Sequence, residues 1–108
     1  MILKPHWVVP SSIQSAYTTR VGGVSLKPYD SFNLGMHVGD NSEHVAQNRK
    51  TLQEGLNLKK EPHWLTQVHG SKILNLNQNQ RDPLLEYDAS FTTQALEACV
   101  VMTADCLP

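Results

Sequence analysis

The feature that most constrains the fold is a near-continuous apolar run from Ala98 to Met102, close to the end of the sequence. Such a run predicts a central β-strand covered on both faces, because a half-exposed strand alternates apolar and polar residues. A central strand needs a layer of structure on each side, and the sequence shows one clear helix pattern. We therefore expect further sequence to complete the domain, so that Pro108 is not a natural domain end.

The helix pattern lies between Asp40 and Gly55. Asp40 or Asn41 can cap its start, and Glu43 has the spacing of a capping box. Val45, Leu52 and Leu56 then fall near one face of the helix, and Gly55 can end it in a left-handed conformation. Residues 21–40 read as loop, with an edge strand possible after Phe32. Alternation and apolar content predict strands over 13–20, 63–70, 71–77, 87–93 and 96–105, with a tight turn at 69–71.

Charge and composition exclude several classes of protein. The net charge is −1 and there is no run of Lys or Arg, so nucleic acid and anionic membranes are not expected partners. The apolar runs are too short to span a bilayer, and the first ten residues lack the pattern of a signal peptide. On one extended strand, Cys99 and Cys106 would lie about 23 Å apart, too far for a disulfide. We expect reduced thiols in a cytoplasmic protein, with Cys99 buried in the apolar run.

Two residues at predicted strand ends could carry chemistry. His69 precedes a glycine, a pattern that is also typical of an ordinary turn. Cys106 follows Asp105 at the end of the apolar strand, and the ends of strands in α/β sheets are where sites collect. A thiol there is either a nucleophile paired with a histidine or a soft metal ligand, and the residues alone leave both open.

The glycine-rich stretch after Thr19 offers a candidate anion site. Gly22 and Gly23 would let backbone N–H groups approach a ligand closely, and Arg20 stands beside them. Together they could hold a phosphate or a carboxylate. The alternative is a surface loop in which Arg20 pairs with Asp30 or Asp40.

Five segments in this order resemble the YfiH family, also called the laccase-domain, multicopper polyphenol oxidase or peptidoglycan-editing-factor family. They are "TTRVGGVSLKPYDSFNLGMHVGD", "NRKTL", "WLTQVHG", "YDAS" and "VMTADCLP", and the resemblance runs from about Ser15 to Pro108. It implies an α/β fold, a layered sandwich of mixed β-sheet and helices. Residues 1–108 would then be the N-terminal part of a single domain.

The resemblance also implies a zinc site. Its ligands would be His69, Cys106 and a later histidine in a "HAGWRG"-like motif that residues 1–108 do not contain. Asp105 would orient a ligand from behind or cap the strand end. The residues expected to bind substrate or phosphate are Arg20, Gly22, Gly23, Asn33 and His37.

Members of the family are described as purine nucleoside enzymes that cleave adenosine, inosine or methylthioadenosine with phosphate and deaminate adenosine. Nucleoside and phosphate are thus the expected partners, while the preferred nucleoside and the oligomeric state stay open. A laccase needs many histidines, and this sequence has five, although copper could occupy the site in vitro. A peptidoglycan-precursor hydrolase would use Cys106 as nucleophile. If the chain truly ends at Pro108, an inactive fragment is the remaining alternative.

Overall fold

The computed structural model describes residues 1–78 and 85–104. It divides into two compact units, Met1–Leu56 and Asn57–Pro108. The described residues contain α-helix and β-strand in both antiparallel and parallel pairs, so the predicted α/β class is confirmed. Within the described residues, no helix has the length and apolar character that a bilayer crossing requires.

The first unit joins a short hairpin-like pair of strands to the helix. Strand β1 (Ile2–Leu3) pairs antiparallel with β2 (Tyr17–Thr18). The strand predicted over 13–20 is therefore much shorter than expected. Pro5 follows β1 closely and has no N–H to donate, so β1 offers only a short edge for pairing.

Helix α1 (Ser42–Gly55) is the one the capping pattern predicted. Asn41 is the N-cap, and its side chain accepts a hydrogen bond from the Glu43 amide. Gly55 lies inside the helix, so the prediction that it ends the helix in a left-handed conformation is wrong; Asn57, with φ of 53°, takes that conformation. A Cβ at Gly55 would lie 2.7 Å from Ile2 Cδ1, so this glycine allows α1 to pack closely on β1.

The buried face of α1 carries Val45, Asn48 and Leu52. Hydrophobic spacing predicted Val45 and Leu52 correctly, but Leu56 is only half-buried. The third buried residue of this face is polar: Asn48 has no exposed surface. Phe32 from the glycine-rich stretch is buried in the same unit, while residues 33–40 form turns with no edge strand.

The second unit contains β3 (Ile73–Asn75) and β4 (Ala89–Phe91), which pair in parallel. Both strands fall inside predicted ranges. Paired residues in a parallel sheet share a face, so Leu74 and Ser90 lie on one side and Ile73 with Phe91 on the other. Leu74 is buried, as is Leu65, and both belong to the apolar core of the described part of the unit.

Two predicted strands do not form in the described residues. Among the described residues, 63–70 and 96–104 pair as β-structure at one isolated parallel bridge, between His63 and Cys99. Val101 is 59% exposed, so the described part of the apolar run is not covered on both faces. The side chain of Gln67, rather than a neighbouring strand, bonds the backbone of Met102, which explains why no ladder continues there.

Candidate functional site

The glycine-rich stretch of the first unit is held to α1 by the buried side chain of Asn48. Its Nδ2 donates to Ser25 Oγ at 3.0 Å, to Ser31 O at 3.2 Å and to Asn33 O at 2.8 Å. Its Oδ1 accepts from the Val24 amide at 2.9 Å. One amide side chain thus fixes the backbone of the stretch at several points. The sequence analysis missed Asn48, although its place between Val45 and Leu52 on the helix face was a usable signal.

Asp40, which follows the glycine-rich stretch, accepts hydrogen bonds from two of its side chains. Ser25 Oγ donates to Asp40 Oδ2 at 2.6 Å, and Asn33 Nδ2 donates to the same oxygen at 3.1 Å. The hydrogen bond from Ser25 and those from Asn33 and the Asn41 amide lower the pKa of Asp40, against an opposing effect of burial. Asn33 also exchanges hydrogen bonds with the backbone of Gly35, so the amide predicted to bind substrate is occupied within the loop.

Arg20 pairs with Asp30, which is the alternative that the sequence left open. Arg20 Nε donates to Asp30 O at 2.8 Å, and Arg20 Nη2 lies 3.4 Å from Asp30 Oδ1 with the arginine side chain 70% exposed. The amides of Gly22 and Gly23 both donate to Ser31 Oγ at 3.1 Å. These two amides, which were expected to bind an anion, therefore have a hydrogen-bond partner inside the loop. A phosphate contact at Arg20 stays a prediction.

His37 is the remaining candidate in the first unit. It is exposed, and its ring lies against Gly35, where an added Cβ would be 3.3 Å from His37 Cε1. The side chains of Arg20 and His37 are thus exposed to solvent, whereas the side chain of Asn33 is engaged in hydrogen bonds within the stretch.

His69 lies in an exposed turn of the second unit, at the predicted position. Its φ is 58°, a left-handed conformation that is uncommon for residues other than glycine. The amides of Val68, His69 and Gly70 all donate to the carboxylate of Asp88, at 3.0, 2.8 and 2.7 Å. The imidazole of His69 makes no hydrogen bond to any other residue in the ranges 1–78 and 85–104.

Asp88 was given no role by the sequence analysis, although it stands in the quoted "YDAS" segment directly before β4. The hydrogen bond from the Gly70 amide lowers the pKa of Asp88, as do those from His69 and Val68, and burial opposes them. A carboxylate that accepts several amide hydrogen bonds is stabilised in its charged form. Asp88 is therefore an anion held in a concave group of backbone amides.

Gln67 connects the His69 turn to the segment that leads to Cys106. Gln67 Nε2 donates to Met102 O at 2.9 Å, and Gln67 Oε1 accepts from the Met102 amide at 2.6 Å. The two segments run parallel, as the bridge between His63 and Cys99 shows. The motifs "QVHG" and "VMTADC" are thus neighbours in the fold up to Met102.

Asp105 and Cys106 lie outside the described residues, so the predicted meeting of His69 and Cys106 stays a prediction. Among the described residues, no three His, Cys, Asp or Glu side chains come together as a metal site. Cys99 is a free thiol and is exposed, so its predicted burial is wrong. That prediction depended on a strand covered on both faces, whereas Cys99 lies at an isolated bridge in a segment with an exposed Val101.

Glu97 forms a separate cluster beside the parallel bridge. Its carboxylate lies 2.8 Å from Lys60 Nζ and 2.6 Å from His63 Nε2, with the Glu97 side chain only 11% exposed. The hydrogen bond from Lys60, followed by that from His63, lowers the pKa of Glu97. This cluster accounts for His63 as a structural residue.

The fold and the His69 turn define an α/β protein with a histidine presented next to the end of two parallel segments. The chain belongs to the family described as multi-copper polyphenol oxidoreductase laccase, which matches residues 14–108. The family resemblance of the motifs is thereby confirmed.

Curated relatives and solved structures agree with this assignment. The chain is 47% identical over 107 residues to a protein of Escherichia coli K12 named purine nucleoside phosphorylase YfiH, covering 99% of this chain and 44% of that protein. A Haemophilus influenzae purine nucleoside phosphorylase is 49% identical over 106 residues, covering 98% and 43%. A crystal structure of a Neisseria meningitidis protein of family DUF152 superimposes with a TM-score of 0.83 at 39% identity, covering 97% of this chain and 42% of that one.

The chain spans less than half the length of these relatives. The shared region contains the glycine-rich stretch, α1, the His69 turn and the apolar run. The activity of a whole relative is therefore a matter for proposal.

Proposed function

We propose that the full-length protein is a zinc-dependent purine nucleoside phosphorylase that also deaminates adenosine. Adenosine, inosine and methylthioadenosine form the substrate class. The names of the Escherichia coli and Haemophilus influenzae relatives support the phosphorylase activity. Zinc and deamination follow from the family resemblance of the "QVHG" and "ADC" motifs.

The observation that carries the proposal is the imidazole of His69. It is exposed, it forms no hydrogen bond within the described residues, and its backbone is fixed by Asp88. A histidine can coordinate a metal only through a ring nitrogen that is free of other bonds, and His69 meets this condition within the described residues. His69 is therefore available as one zinc ligand, and we propose Cys106 as the thiolate ligand and a histidine of the "HAGWRG"-like motif as the third.

Bound zinc would lower the pKa of a water molecule or polarise a substrate oxygen. The chain's own contribution is to present His69 from a turn whose amides are held by Asp88. Gln67 contributes by joining this turn to the backbone of Met102, four residues before Cys106. Asp105 would orient a ligand from behind.

Phosphate is proposed to bind at Arg20, with Gly22, Gly23, Asn33 and His37 around the same stretch. The Arg20 guanidinium is exposed, and its ion pair with half-exposed Asp30 is of the surface kind that contributes little to stability. A phosphate could therefore replace Asp30 as its partner at small cost. Asn33 would act by shaping the stretch, since its amide is bonded to Asp40.

The test of the function is elemental analysis of the purified full-length protein, combined with an assay of phosphate-dependent release of hypoxanthine from inosine. Zinc close to one per chain and turnover that needs phosphate are expected. His69→Ala should lose both, whereas His63→Ala, a matched change of a half-exposed histidine in the same unit, should keep both. Copper with oxidation of phenols would favour a polyphenol oxidase, and metal-free hydrolysis of peptidoglycan precursors that depends on Cys106 would favour the hydrolase.

Arg20→Ala in the full-length protein is expected to weaken phosphorolysis more than deamination, because only phosphorolysis uses phosphate. Loss of a charged hydrogen bond costs about 1.5–3 kcal/mol, or roughly 10- to 100-fold in kcat/KM for phosphate. Lys27→Ala is the control, since Lys27 is an exposed cation of the same stretch. Equal loss of both activities would mean that Arg20 stabilises the fold or binds the nucleoside instead of phosphate.

We place the protein in the cytoplasm, with nucleoside and phosphate as small-molecule partners and no role for nucleic acid or membranes. The net charge of residues 1–108 is −1, which gives no general attraction for nucleic acid or for an anionic membrane surface. Cell fractionation with an antibody to the full-length protein tests this placement, and recovery in the membrane or extracellular fraction would contradict it.

A further inference from the structure

The proposed function uses Asp88 only as the acceptor that holds the backbone of the His69 turn, and the effect of Asp88 on the imidazole goes beyond it. The carboxylate accepts hydrogen bonds from the amides of the three residues of the turn, Val68, His69 and Gly70. Successive amides that point at one anion form a concave site of the kind that binds phosphate in other proteins. Here the chain fills that site with its own side chain.

The backbone of His69 needs such a partner. A left-handed conformation at a residue with a Cβ is strained, so a short exposed turn would not keep it without support. Hydrogen bonds to a charged acceptor are stronger than those between neutral groups. Asp88 is itself fixed, because its amide donates to Lys72 O at 3.1 Å and β4 begins at the next residue.

We infer that Asp88 is the positioning residue of His69: it holds the turn in the left-handed conformation and so sets the direction of the imidazole. The inference rests on the proposed function for its consequence at the metal, but the conformational part stands on the described contacts alone. Asp88 contacts His69 at its backbone amide and forms no hydrogen bond with its imidazole, so its role is to position the ligand.

The first arm of the test is amide hydrogen exchange by NMR in the full-length protein without metal. The amides of Val68, His69 and Gly70 lie in an exposed turn outside the strands, yet they should exchange at least 10-fold more slowly than unbonded amides. In Asp88→Asn, the oxygen Oδ1 can still accept, whereas the new NH2 group faces the Gly70 amide and cannot. Exchange at Gly70 should therefore accelerate about 10-fold or more, and unprotected amides in the unmodified protein would overturn the inference.

The second arm is affinity for zinc ion, measured by competition with a coloured chelator. Changes behind a metal-bound histidine typically cost 10- to 100-fold in affinity, and this range is expected for Asp88→Asn. Glu97→Gln is the matched control, because Glu97 is another hydrogen-bonded carboxylate of the same unit with no contact to the turn. At a comparable loss of thermal stability, Glu97→Gln should leave the affinity within about 3-fold.

The outcomes separate the two ideas. Faster exchange in Asp88→Asn with unchanged zinc affinity would reduce Asp88 to a purely structural residue and overturn the positioning role. If the unmodified protein binds no zinc, the proposed function fails, and the exchange arm alone decides whether Asp88 fixes the turn. Should Asp88→Asn not fold, Asp88→Glu, which keeps the charge but moves the oxygens, takes its place in both arms.

Discussion

The left-handed φ of 58° at His69 places a side chain where glycine would be less strained. Replacing His69 by Gly relieves about 1–2 kcal/mol of strain but loses about 0.5–1 kcal/mol to the greater freedom of the unfolded chain. His69→Gly should therefore be more stable than His69→Ala by about 0.5–1 kcal/mol in urea unfolding. The same pair at Thr66, where φ is not left-handed, should show the opposite order, and a less stable His69→Gly would mean that the turn differs in solution.

Gly23 is the glycine with the least room. A Cβ there would lie 2.5 Å from Asn48 Oδ1 and 2.5 Å from Phe32 Cα, and it would also overlap the Ser31 carbonyl. Because two of these neighbours are backbone, Gly23→Ala should lower the free energy of unfolding by about 2–3 kcal/mol. Gly70→Ala is the control, since its Cβ would meet ordinary contacts of 3.4 and 3.6 Å. Equal effects of the two changes would contradict the close packing of Gly23.

At the scale of elements, α1 could be predicted from the sequence because its signals lie within its own residues. Asn41 at the cap and apolar residues at helical spacing specify a helix without reference to the rest of the fold. The residue that takes the left-handed conformation after the helix could not be predicted from local sequence in the same way. Gly55 lies inside the helix close to Ile2 Cδ1, a tertiary contact, and Asn57 makes the turn instead.

Strand predictions depend on neighbours that the local sequence does not specify. The run after Leu96 reads as a central strand only if other elements cover it, and its described part has one bridge and an exposed Val101. The site shows the same limit. His69 was found from its motif, whereas Asn48 and Asp88 act through backbone groups distant in sequence, which a pattern of residue types does not reveal.

The link between Gln67 and Met102 can be tested as an element contact. Gln67→Met keeps the length of the side chain but removes both hydrogen bonds to the Met102 backbone. Since half-buried backbone groups then lose their partner, the free energy of unfolding should fall by about 1–3 kcal/mol, and the Met102 amide should exchange faster. Gln47→Met, an exposed change on α1, should have little effect. Unchanged exchange at Met102 would show that another group bonds this segment.

At the scale of the whole molecule, each unit carries a carboxylate whose pKa is lowered by its partners. In the first unit, Asp40 faces Ser25, Asn33 and His44, and the Ser25 hydrogen bond is the main cause. In the second, Glu97 faces Lys60 and His63, and the Lys60 hydrogen bond is the main cause. Acid should therefore weaken both units.

The direction in which stability changes with pH follows from proton linkage. Because the folded pKa values lie below the ordinary values of 3.8 for Asp40 and 4.5 for Glu97, the unfolded chain takes up protons first as the pH falls. The stabilisation is present above the ordinary values and is lost as the pH drops through the folded ones. Urea midpoints should stay level from pH 7 to about 5.5 and decline below about pH 5. Asp40→Asn and Glu97→Gln should each make the decline shallower at the expense of stability at pH 7, whereas Glu86→Gln, an exposed change, should leave the slope unchanged. A midpoint that rises on acidification would mean that these carboxylates are better stabilised as acids than as anions.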